Sequence, residues 1–174
     1  MKKKNGFTLI ELLAVIVVLA IIMVIAIPAV LSIMNNARKS SFAIYIEKIV
    51  KDVQTQYVSD SNFGQVKGSG VVVYNIQSDL GYTTTGNYVG YVVVNATDVD
   101  NVQYTVFLHD NNYMIIGDNI TVSGMPTKDS TLITAYDSSS WTSKSANEKY
   151  ACTTATGSES TICQNRYGQI IQTA

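Results

Sequence analysis

Residues that build metal centres and active sites are scarce in this sequence. It has one histidine and two cysteines among 174 residues. Two thiols and the distant His109 do not make the four ligands of a structural zinc site. No glycine-rich phosphate loop and no activated-nucleophile pattern occurs, so nothing points to catalysis, a metal or a cofactor. A basic run with interleaved aromatics is also missing, which argues against direct nucleic-acid binding by this chain. His109 stands at the end of a candidate strand, where a solvent-exposed or partly packed ring is expected. Asp98-Val99-Asp100-Asn101 begins like a calcium loop without the required continuation, and reads as a turn. Asn95-Ala96-Thr97 and Asn119-Ile120-Thr121 fit the glycosylation pattern, which is short enough to arise by chance. The eleven tyrosines are spread along strands and loops and suit half-buried sheet faces, with no stacking role indicated.

What the sequence does have is an unusual beginning. Lys2, Lys3 and Lys4 are followed by Gly6, and an apolar run then starts that Glu11 interrupts almost at once. From Leu12 to Leu31 there are 20 residues without a charge or a polar side chain. As a helix that run is roughly 30 Å long, enough to cross a bilayer. A carboxylate at its entrance is costly there and calls for a function and a partner. A secretory signal would place a cleavage site beyond the run, which Ala26 and Ala29 only loosely supply. A plain signal anchor explains the length and the lysines, which would stay inside the cell, but neither Gly6 nor Glu11. A third reading is cleavage on the cytoplasmic side directly after Gly6, leaving the whole run on the mature protein. Gly6 has no side chain, so a protease can approach and bend the backbone there.

Gly6-Phe7-Thr8-Leu9-Ile10-Glu11, between a lysine-rich leader and a long apolar helix, resembles the type IV pilin signature. The resemblance covers the chain through about residue 31 and is shared by the pseudopilins of type II secretion and DNA uptake. It implies a membrane prepilin peptidase that cuts after Gly6 and methylates the new amine of Phe7. Glu11 then becomes the fifth residue of the mature chain. Four residues is one helical turn, so the amine of Phe7 can pair with Glu11 of its own chain. In a bundle of identical helices, the amine of one subunit can instead meet Glu11 of its neighbour, satisfying two charges and fixing the axial register. Pro28 cannot donate to the carbonyl of Val24 and crowds that turn, so a kink or loosened helix is expected near residues 24–28. Resemblance implies that this stretch can extend inside a filament.

The helix is expected to continue to about Val58. Phe42, Tyr45, Ile46, Ile49, Val50, Val53 and Tyr57 recur at three- and four-residue spacing, with Lys48, Lys51 and Asp52 between them. Beyond Asn62 come β-branched and aromatic runs at Val71–Ile76, Tyr88–Val94, Val102–His109 and Tyr113–Ile116, and a shorter one at Ile120–Val122. His109-Asp110-Asn111-Asn112-Tyr113 reads as a hairpin connection. The fold class is therefore α+β and pilin-like. A leader (1–6) precedes an apolar helix half (7–34) and an amphipathic half (35–62), which packs on an antiparallel sheet of three to five strands. That sheet lies in a head (63–174) whose tail, from about Thr127, is loop-dominated.

Cys152 and Cys163 lie in that tail, and a pair at this spacing in an exported domain reads as a disulfide. Type IV pilins frequently carry one near the C-terminus. Loss of Lys2, Lys3 and Lys4 with the leader leaves 9 basic against 13 acidic side chains, a net of −4, which suits a soluble outer surface. The expected function is a structural pilin subunit and not an enzyme. It would sit in the cytoplasmic membrane by a single span, meet prepilin peptidase and the pilus assembly machinery, and join a homo-oligomeric helical filament outside the cell. A minor pilin or pseudopilin is the nearest alternative, and a membrane-anchored adhesin is the alternative of another class.

Overall fold

A computed structural model describes residues 7–66, 70–82, 88–96, 98, 100–121, 124–145 and 163–171. Helix α1 runs from Leu9 to Asn62. Five strands follow, β1 (Val71–Asn75), β2 (Val89–Asn95), β3 (Gln103–His109), β4 (Tyr113–Ile120) and β5 (Thr134–Ala135). Helix α2 (Ser138–Ser145) and strand β6 (Cys163–Asn165) complete the order. The chain divides into two compact units, Met1–Arg38 and Lys39–Ala174.

In the first unit, α1 is rich in valine and isoleucine, β-branched residues that are poor helix formers in water. In hydrocarbon the backbone has no water to bond, so a helix, which satisfies every N–H and C=O internally, is the available solution. The helix is long and apolar enough to cross a membrane, and its most apolar stretch is unburied. Pro28 lies inside α1, which continues across it.

In the second unit, α1 turns one apolar stripe to the sheet. Phe42, Ala43, Ile46, Ile49, Val50 and Val53 are buried, and Tyr45 and Tyr57 pack at the margin, as their spacing predicts. The helix stops at a left-handed glycine. Gly64 has φ 69°, its N–H bonds to Ser61 O at 3.2 Å, and Gln65 N–H bonds to Asp60 O at 2.9 Å. This pair of bonds satisfies the last carbonyls of the helix, and glycine carries no Cβ penalty there.

The sheet has the order β5-β4-β3-β2-β1-β6. Strands β1 to β5 are antiparallel to their neighbours in sequence. Strand β6 lies parallel to β1, pairing Cys163 with Val71 and Asn165 with Val73. The sheet therefore has six strands and one parallel edge pair, where the sequence pattern predicts three to five antiparallel strands. Strand β4 also runs on to Ile120 instead of ending at Ile116. The cause is a bulge: Leu108 faces Ile115 and Tyr104 faces Ile120, so five steps on β4 match four on β3. Gly117, with φ 55°, absorbs the extra residue. That insertion flips the alternation, so Ile115 and Ile120 both reach the core under α1.

The tail is more ordered than its composition suggests. Val71, Val73, Val93, Phe107 and, from β6, Cys163 line the second sheet face, against which Trp141 of α2, Tyr136 and Ile171 pack. Asp137 starts α2 by accepting N–H bonds from Ser139 at 3.3 Å and Ser140 at 3.1 Å. Bonds from the Ser140 and Ser139 hydroxyls first, then these N–H bonds, hold the Asp137 carboxyl down at about 2.

Candidate processing and assembly site

Gly6 lies outside the described residues, so the geometry of the proposed cut begins with Phe7, which is 88% exposed. The next residue starts the helix. Thr8 N–H donates to Glu11 Oε2 at 2.8 Å, and the Thr8 hydroxyl donates to the same oxygen at 2.8 Å. In return Glu11 N–H points at Thr8 Oγ1 at 3.4 Å. Leu12 N–H closes the first helical bond on Thr8 O at 3.2 Å. Thr8 and Glu11 thus form a reciprocal capping box, in which each side chain satisfies the other's otherwise orphaned N–H. The signal is present in the sequence, a threonine three residues before a glutamate ahead of an apolar run.

The capping box gives Glu11 a task within its own chain. Its carboxylate accepts the N–H of the peptide bond that joins Phe7 to Thr8, one residue from the place where cleavage would create a cation. A carboxylate at a helix N-terminus also meets the positive end of the macrodipole. The structure therefore brings Phe7, Thr8 and Glu11 to one end of α1, ahead of its unburied apolar stretch. Pro28 lies further along α1 and does not join this site.

Cys163 is buried in β6, while Cys152 lies outside the described residues. His109 is buried, with 7% exposure, and so is more enclosed than its position at a strand end suggests. Its ring stacks on Tyr136 at 4.5 Å and meets the edge of Trp141 at 4.3 Å. Burial holds its pKa below the ordinary histidine value, partly offset by the Asp110 carbonyl and charge. Asp98 accepts bonds from Asp100 N–H at 3.1 Å and, through its carbonyl, from Asn101 N–H at 3.3 Å, which are the bonds of a turn.

Two groupings in the head were not legible as sites. Tyr45 and Tyr88 stack with centroids 3.6 Å apart, and Tyr82 meets Tyr45 edge-on at 5.8 Å. Lys48 Nζ lies 5.3 Å from the Tyr82 centroid, and the Tyr82 hydroxyl donates to Asp52. These tyrosines do stack, and the reason is tertiary, since Tyr45 belongs to α1 and the other two follow β1. The second grouping surrounds Asp60, which is 3% exposed. Its carboxylate accepts bonds from Gln56 Nε2 at 2.7 Å, Tyr74 OH at 3.1 Å and Arg166 Nε at 3.2 Å. Burial first, then the Asp60 charge, raises the Tyr74 pKa far above the ordinary tyrosine value. Neither Asp60 nor Arg166 carries a local signal, because they stand 106 residues apart.

The N-terminal pattern is matched by the family model described as "Prokaryotic N-terminal methylation motif", over residues 1–27. No curated protein and no solved structure matches the chain. This motif marks structural precursors rather than an enzyme family, and with the apolar helix it fits a membrane-anchored precursor. Residues 1–27 thus carry the type IV prepilin signature, on an α+β fold consistent with that of type IV pilins.

Proposed function

We propose that this chain is the structural subunit of a type IV pilus. It is cut after Gly6, methylated on the Phe7 amine and added to a helical filament through the apolar part of α1. The observation that carries this reading is the prepilin signature at residues 1–27 on a helix whose most apolar stretch is unburied. Such a surface needs lipid before assembly and other apolar helices after it. In this division residues 1–6 are the leader, 7–34 the filament core, 35–62 the helix half packed on the sheet, and 63–174 the outward head.

Glu11 acts at two stages. Before cleavage its carboxylate caps its own helix through Thr8. After cleavage the Phe7 amine of a docking neighbour becomes its partner, because both charges would otherwise be stranded among apolar helices. Cys152 and Cys163 form a disulfide, a reading supported by the absence of free cysteines among the described residues. The role is structural, without catalysis.

Mass spectrometry of filaments sheared from the cell surface tests the reading. The expected result is this chain as the bulk component, starting at N-methylated Phe7. Trace amounts beside another bulk subunit would make it a minor pilin or pseudopilin. Retention of Met1, or cleavage beyond Ala29, would make the helix a plain anchor or a secretory signal and overturn the proposal.

A further inference from the structure

The segment 163–171 docks along β1 and against the stop of α1. Strand β6 covers the outer edge of β1 over Val71 to Val73. The chain then reverses, with Asn165 N–H bonding to Gln169 O at 2.9 Å and Ile171 N–H to Cys163 O at 2.9 Å. At the tip of this hairpin Gly168 has φ +73°, and a Cβ there would sit 2.3 Å from Gln65 O. Gln65 is the residue whose N–H closes the helix stop on Asp60 O. Hairpin and helix stop are thus in backbone contact, at a distance only glycine allows.

Arg166 occupies the centre of this contact. Its Nε donates to Asp60 Oδ2, and its Nη1 donates to Asp79 O at 2.6 Å in the segment after β1. One guanidinium therefore joins the end of α1, the chain after β1 and the hairpin itself. The Asp60 carboxylate is almost wholly removed from water, and a buried carboxylate without a cation is strongly unfavourable. Gln56 and Tyr74 supply hydrogen bonds but no charge.

We infer that residues 163–171 are a clasp that seals the head, with Asp60–Arg166 as its lock. The buried charge on Asp60 makes an intermediate arrangement unfavourable. Either the hairpin is docked and Arg166 neutralises the carboxylate, or it is undocked and Asp60 must hydrate, which opens the helix stop and bares the edge of β1. The end of α1 and the edge of β1 thus become ordered only when the far end of the chain arrives. This coupling does not depend on filament assembly, so its test reads the isolated chain.

Hydrogen exchange, resolved amide by amide on the full chain in detergent micelles, provides that test. In Arg166→Gln, the amides of Gln65, Asn165 and Ile171 should lose protection together, on the order of 100-fold, because removing one partner strands a buried charge. Val92 and Val106, in the middle of the sheet, should keep theirs. Asp60→Asn combined with Arg166→Gln should be no looser than Arg166→Gln alone, since no charge is then stranded. Gly168→Ala, which blocks docking sterically with the lock residues intact, should open the same three amides. Loosening of Asn165 and Ile171 while Gln65 stays protected would overturn the coupling. So would equal loss across the whole sheet, no loss at all, or a double variant looser than the single one.

Discussion

Ile44 and Ile46 are two residues apart on the same helix, yet they face opposite environments: Ile44 is 65% exposed and Ile46 is 0% exposed. Truncating Ile46 to alanine removes three carbon groups from the core beneath the sheet. At about 0.8 kcal/mol per buried group the transfer loss is roughly 2.5 kcal/mol. The cavity left behind adds on the order of 1 kcal/mol, for a total of about 3.5 kcal/mol. For a unit of this size each kcal/mol lowers Tm by about 3–4 °C, so Ile46→Ala should melt roughly 10 °C below the wild type. Ile44→Ala removes the same groups from a position already in water, and head stability should change by less than about 0.5 kcal/mol. Circular dichroism melts of the full chain in detergent, followed on the sheet signal, measure both. In the proposed filament Ile44→Ala should nonetheless lower filament yield, because the open face of α1 is where neighbouring helices pack. Equal melting losses in the two variants, or a silent Ile46→Ala, would refute the assignment of the buried stripe.

Glu11→Ala and Thr8→Ala both break the capping box, but only the first removes the carboxylate. Thr8→Ala should still yield filaments, whereas Glu11→Ala should insert and be cleaved without elongating. Normal filaments from Glu11→Ala would reduce that residue to a helix cap. His109 has a folded-state pKa below its unfolded value, so protons bind the unfolded chain more readily. Its effect should be absent above about pH 6.5 and should cost stability as pH falls from there to the folded-state pKa. Trp141 fluorescence and Tm should shift together across that window, and a variant His109→Gln with an unchanged slope would disprove the assignment. Replacing Cys152 or Cys163 with serine should loosen the tail cover while leaving α1 and β1 to β4 formed, costing on the order of 3 kcal/mol. Alkylation of the unreduced wild type, detected by mass, should label neither thiol; labelling of both would rule the bridge out.

The sequence by itself determined the elements whose cause is local. Twenty apolar residues require a helix in lipid, and the spacing from Phe42 to Val53 selects the stripe that α1 buries. Runs of valine and tyrosine broken by Gly, Asn and Asp mark β1 to β4. Asp110 holds the turn between β3 and β4 through Asn112 N–H at 2.7 Å and Tyr113 N–H at 2.6 Å, a bond pattern that aspartate encodes on its own. The prepilin signature is likewise a contiguous string, and so was legible. Tertiary structure decided the rest. Strands β5 and β6 have two and three residues, too few to show a period, and they exist because β4 and β1 offer them an edge. The length of β4 depends on a bulge at Gly117 that only pairing with β3 reveals. Trp141 and Tyr136 cover a second sheet face that a Ser/Thr-rich tail gives no sign of covering. Asp60 and Arg166 are an unremarkable acid and base until the fold closes the 106 residues between them. Local periodicity reports which side of an element is apolar; which remote group then satisfies a buried charge or an open edge is settled only when the chain is folded.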